Sequence, residues 1–178
     1  AFPMITTKRV SFRLIKSELK WFMRGQTNIQ PLLVDGNPIW NEWAFERYIL
    51  SEDYKGSLGK EDLNTKDEVI RERIEKEMEE FCERIINDDD FAEKHGDLGN
   101  IYGKQWRSII GYDGEEIDQL GIVVNEIKEN PMSTRLIVDS WTPQDIYTKR
   151  EKEKLALPPC HMLYQFFVRL LMKFQVLV

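Results

Sequence analysis

Cysteine is nearly absent from this chain of 178 residues: only Cys82 and Cys160 occur, far apart. Two such residues make no disulfide framework and point to a reducing compartment, so the expected location is cytoplasmic. Long apolar runs are missing too. None approaches the ~20 residues of a membrane helix, and the opening AFPMITTKRV lacks the basic-then-apolar pattern of a signal peptide. Glycine (10) and proline (7) are too few for a fibrous or low-complexity chain. What is present is a globular composition, 42% apolar and 31% charged. At this length it can bury roughly 70% of the unfolded surface.

A strongly basic segment is also lacking. The net charge is −6, and it is unevenly spread. Residues 51–95 hold 16 acidic and 8 basic side chains, while the remainder is mildly basic. Nucleic acid is therefore not an expected partner. A small anion held by a few local arginines remains compatible with the charge.

Residues 11–25, SFRLIKSELKWFMRG, have helical spacing, with Ser11 placed to cap the helix and Gly25 to end it. Leu14, Ile15, Leu19 and Phe22 form the expected apolar stripe. Glu18 falls on that stripe. A carboxylate there is costly unless hydrogen-bonded or functional, so Glu18 is either a structural partner of an arginine or water, or a working group. Trp40 and Trp43 in NPIWNEWAFERY are three apart, hence on one face of a helix, as core or as a platform for a flat ligand.

Thr65 and Glu68 make a capping-box pattern ahead of Ile70, Ile74, Met78, Phe81, Cys82 and Ile85, predicting an amphipathic helix over 65–86. Cys82 packs on its stripe as a small hydrophobe. The run Asp88-Asp89-Asp90 lacks the alternation of a calcium loop and reads as a solvated turn, so no metal is expected. A further helix is predicted over 117–129 through Leu120, Val123, Val124 and Ile127, stopped by Asn130-Pro131. The run RLIV at 135–138 is β-rich, KREKEK at 149–154 is a charged loop, and LALPPCHMLYQFFV after it ends like a strand.

Cys160 follows Pro158-Pro159, which hold the thiol on a rigid extended lead-in. A nucleophilic cysteine needs a cation, a helix N-terminus or a base beside its thiolate. A lone cysteine otherwise reads first as a buried hydrophobe. If the segment is a strand, His161 points to the opposite face and is badly placed as the base, leaving a nearby arginine as the better activator. Spacing alone leaves both readings open.

The segments FPMITTKRVSFRLIKSELKWFMRG, IWNEWAFE, GDLGNIYGKQWR, IDQL and ALPPCHMLYQFFV occur in one order, and the chain resembles the thymidylate synthase family from Phe2 to about Val168. The resemblance implies an α+β fold, a twisted mixed β-sheet packed by helices. It also implies a single incomplete domain over 1–178, with residues 51–95 as the acidic helical insertion that some bacterial members carry. The implied activity is reductive methylation of dUMP to dTMP, with 5,10-methylenetetrahydrofolate as carbon and hydride donor. Cys160 resembles the nucleophile that adds to carbon 6 of uracil. Glu18 resembles the glutamate that handles protons near the pyrimidine carbonyl through ordered water. Tyr102, after Asn100, resembles a tyrosine linked to proton removal, and His161 falls with the substrate-binding group. Ile39, Trp40 and Trp43 match folate-pocket positions; Ser11, Lys8 and Arg9 join them, the basic pair near the folate's glutamate tail. Arg135 matches an arginine that reaches the dUMP phosphate across a homodimer interface.

The departures are specific. Thr134 stands where the family has a second arginine, Gln26 where Asp is common, and Thr142 where an Asn precedes the proline. The family's phosphate-binding loop ahead of Phe2 and its downstream half are not in the sequence, and the apolar end reads as a strand or helix of something longer. A pyrimidine nucleotide hydroxymethylase of the same fold, or an inactive relative with a binding role, are the alternatives.

Overall fold

The computed structural model describes residue 7, residues 9–149 and residues 155–169. Lys8, residues 150–154 of the charged loop and the apolar end at 170–178 lie outside the described residues. The fold is α+β, dominated by helices.

Helix α1 (Phe12–Met23) ends where expected. Gly25 has φ +71°, and its N–H and that of Gln26 bond back to Phe22 and Trp21 in the paired pattern that closes a helix on a left-handed residue. Ser11 occupies the cap position, but its side chain accepts no bond from the helix, and the residue is exposed. The expected stripe needs correction. Trp21 and Phe22 are buried, while Ile15 and Leu19 are 38% and 47% exposed. Phe22 stays inside as expected, and the adjacent large ring of Trp21 shifts the buried face toward itself and away from Ile15 and Leu19.

Helix α2 (Gln30–Val34) leads to α3 (Asn41–Ile49). Trp40 sits at the cap position before α3 rather than inside it, so the two tryptophans do not share a helix face. Trp40 is buried, and Trp43 lines a cavity against α4 with Leu63, Ile74 and Met78. Helix α4 (Glu68–Asn87) begins after Asp67, whose carboxylate accepts from the Val69 and Ile70 amides. That overturns the Thr65–Glu68 box. Thr65 closes a 3-10 turn (Asp62–Asn64), and its hydroxyl accepts from the Asp67 amide instead. Asp88 is also more than a solvated turn: it caps α5 (Asp89–His95) by accepting from the Phe91 amide.

Helix α6 (Tyr102–Arg107) precedes a short antiparallel pair, β1 (Ile109–Ile110) with β2 (Glu116–Ile117). Helix α7 (Gln119–Glu129) then runs to Asn130 as its spacing predicts. Strand β3 (Ile137–Asp139), the single turn α8 (Pro143–Ile146) and β4 (Leu163–Gln165) follow. Strands β3 and β4 pair antiparallel, with Val138 opposite Tyr164. Among the described residues the strands form these two pairs and not one twisted mixed sheet. The β-rich runs at 135–138 and 163–168 find one partner each, and pairing stops after two or three residues.

One apolar core joins α1, Trp40, α6 and the buried face of β3 to the α3–α4–α5 helices. Gly103 lets α6 close on α1: a Cβ there would lie 2.2 Å from the Gln26 carbonyl oxygen. That approach sets the position of Tyr102. No helix of the described residues is long and apolar enough to cross a membrane.

Candidate active site

The aromatic floor of the site comes from three separate segments. Phe22 of α1 packs against Tyr102 and Trp106 of α6, with ring centroids 4.8 and 5.3 Å away, and Trp40 closes on Tyr102 at 6.4 Å. Trp106 also donates to the Ser140 hydroxyl at 2.8 Å and packs edge-on to Tyr164 at 5.1 Å, which ties α6 to both β3 and β4. Tyr102 is thus fixed from three sides before any ligand arrives.

Glu18 projects from α1 onto this floor. Its carboxylate accepts from Trp40 Nε1 at 2.8 Å. Burial pushes its pKa above the ordinary 4.5, and the Trp40 bond and the nearby His161 charge pull the other way. The sequence left open whether Glu18 pairs with an arginine, with water or with a substrate. Its partner is a neutral indole N–H, so one carboxylate oxygen is engaged while burial favours the protonated form.

Cys160 and His161 precede β4 in irregular chain, so the alternation argument for a strand does not apply to them. Their backbone amides converge on one oxygen. The Cys160 N–H donates to Tyr102 Oη at 2.6 Å and the His161 N–H at 3.1 Å. A phenol oxygen has two acceptor sites. With both taken by amides, its own proton is directed elsewhere, and the Cys160 side chain is its neighbour. Burial, first, raises the Tyr102 pKa; the two amides lower it and the Cys160 charge raises it again. The Cys160 side chain is exposed, and the His161 ring lies 5.7 Å from the phenol. The order of events is therefore fixed: α6 holds the tyrosine, the tyrosine holds the thiol's backbone, and the thiol faces solvent.

The other expected residues are less concentrated. Ile39 is exposed beside the Trp40 cap, and Trp43 lies on the α4 side. Arg9 and Ser11 are exposed ahead of α1. Thr134 and Arg135 are exposed at the head of β3, where the Thr134 carbonyl accepts from Gln165 at 2.6 Å. Asn100 engages the Asp145 carboxylate through its side-chain amide at 2.8 Å, a contact that sequence reasoning missed along with Gln105. The one sequence signal was a glutamine inside GKQWR, too weak to show that its side chain is buried. Among the described residues no cluster of three or more His, Cys, Asp or Glu could hold a metal ion.

Within this α+β protein a solvent-facing cysteine has its amide held by a buried tyrosine, and a desolvated glutamate bonds an indole of the same aromatic floor. The thymidylate synthase sequence profile matches residues 1–177, and the chain belongs to that family. It is 52% identical over 173 residues to the thymidylate synthase of Listeria monocytogenes serovar 1/2a, covering 94% of this chain and 52% of that protein. Its identity to the thymidylate synthases of Listeria monocytogenes serotype 4b (strain F2365) and Listeria innocua serovar 6a is 51%, with the same coverage. The chain spans about half the length of the curated relatives it matches.

Proposed function

We propose that the protein converts dUMP to dTMP, taking the one-carbon unit and the hydride from 5,10-methylenetetrahydrofolate and leaving dihydrofolate. The observation that carries the reading is the meeting of Cys160, Tyr102 and Glu18 on one aromatic floor. The Cys160 thiolate adds to carbon 6 of uracil, with the Tyr102 phenol holding its backbone and supplying a hydrogen-bond donor beside the sulfur. Addition puts an electron pair on carbon 5 and charge on the carbonyl at position 4. Glu18, whose hold on a proton is strengthened by burial, relays a proton to that oxygen through water. Carbon 5 then attacks the one-carbon unit. Loss of the carbon-5 proton, expulsion of the folate, hydride delivery and elimination of Cys160 complete the methyl group.

The surroundings of Trp40 suit a flat heterocycle. Ile39 offers exposed apolar surface there, and Asn41, the next residue in the chain, has a buried Oδ1 without a hydrogen-bond partner. Trp43, the exposed Arg9 and Ser11, and Lys8, which lies outside the described residues, extend this folate-side set. Arg135, exposed just ahead of β3, reaches a phosphate on the partner subunit of a cytoplasmic homodimer, with Thr134 reducing the cation pair to one. His161 takes part in substrate binding beside Tyr102. Residues 51–95 are an insertion that supports this site from outside. The test is product stoichiometry: dUMP and methylenetetrahydrofolate should yield dTMP and dihydrofolate in equal amounts, with none from Cys160→Ala. A 5-hydroxymethyl product without dihydrofolate would refute it.

A further inference from the structure

We infer that Asp145 is a positioning residue for Cys160, acting through α6 and Tyr102; this rests on the reading of Cys160 as the nucleophile. Asp145 lies in the single turn α8 and spends both carboxylate oxygens on side-chain amides. Asn100 Nδ2 donates to one at 2.8 Å and Gln105 Nε2 to the other at 2.5 Å. Those donors stand on either side of Tyr102 in the chain, one just before α6 and one within it.

Gln105 is 1% exposed and has no spare capacity. Its second Nε2 hydrogen goes to the Asn100 carbonyl at 3.0 Å, and its Oε1 accepts from the Thr142 hydroxyl at 2.6 Å. The Gln105 backbone carbonyl accepts from Gln119, which also brackets Asp139 of β3. The network admits one arrangement of α6 against β3 and α8. Tyr102, inside that bracket, then carries the Cys160 and His161 amides. A carboxylate suits the post because it accepts at both oxygens. An amide at 145 must turn its NH2 toward one of the two donors and lose that bond in either orientation.

The test uses Asp145→Asn and Asp145→Glu, each alone and with Tyr102→Phe. The rate of Cys160 alkylation by iodoacetamide is followed by peptide mass spectrometry, and thermal unfolding is measured in parallel. Asp145→Asn should slow alkylation about fivefold, on the scale of one lost buried hydrogen bond, and Asp145→Glu should restore most of the rate. With Tyr102→Phe already present, Asp145→Asn should add less than about twofold, because the route is cut. A merely structural aspartate would lower the unfolding temperature and change alkylation by the same factor in both backgrounds, or by none. Either result overturns the inference. Product analysis of the unaltered protein tests the methylation separately: the absence of dTMP would refute that reading alone, whereas alkylation independent of residue 145 would refute the role of Asp145 alone.

Discussion

The two cysteines sit in two differently built regions. Cys82 lies half-buried on α4, where desolvation, helped by Glu79, pushes its thiol up to about 11. Cys160 stands exposed in irregular chain, with its amide clamped by a tyrosine far away in sequence. The α4–α5 region is assembled by local rules: caps at Asp67 and Asp88, an apolar stripe from Ile70 to Ile85, and ion pairs such as Arg73–Glu77 along the wet face. The Cys160 region is assembled by single side-chain bonds between distant segments. Helix periodicity makes the α4–α5 wall, and long-range polar contacts hold the Cys160 region in place.

The contrast between the thiols has the largest expected effect. At pH 8 a thiol near 11 is thiolate in only about one molecule in a thousand. Iodoacetamide should therefore label Cys160 in the native protein and reach Cys82 only after unfolding. Equal labelling of both would erase the distinction. Next in size, Glu18→Gln should lower turnover about a hundredfold or more while nucleotide affinity changes less than about threefold. The same variant carries a pH signature. The folded chain holds the Glu18 proton more tightly than the unfolded one, since burial raises its pKa above 4.5. Stability from this group is thus present below pH 4.5 and lost as pH rises through the raised value. The melting temperature of Glu18→Gln should climb relative to the unaltered protein over that interval, and a constant difference would remove the burial argument.

Two smaller effects sharpen the other side of the comparison. Ile85 is fully buried on α4, and Ile85→Ala should cost about 2–5 kcal/mol by chemical denaturation while Cys160 alkylation at low denaturant stays unchanged. Asp67→Ala should cost about 1 kcal/mol, because it removes the acceptor for two amides. Thr65→Ala should cost within about 0.5 kcal/mol. The reverse order would restore the capping box that the sequence suggested.

Much of the helical region was legible. The α4 stripe, the Gly25 stop and the Asn130-Pro131 stop all follow from local periodicity and backbone preference. Errors arose where two local signals compete: Thr65 against Asp67 for one cap, and Ile15 with Leu19 against Trp21 for the inward face of α1, on which Phe22 lies as expected. Glu18 was legible as a carboxylate on a buried face, but its indole partner was not, because Trp40 read as part of α3. The Tyr102 clamp and the Asp145–Gln105 network join residues on separate elements. Periodicity carries no information about such pairs, and YGKQWR showed only that a glutamine stands three residues after a tyrosine.

The central claim is that Cys160 is the nucleophile presented by Tyr102, and a mass measurement tests it most directly. The protein is incubated with 5-fluoro-dUMP and methylenetetrahydrofolate and its intact mass recorded. The account predicts a gain equal to one nucleotide plus one folate, mapped to the Cys160 peptide and absent in Cys160→Ala. A folded protein that gains no mass, or a gain that survives Cys160→Ala, would contradict it.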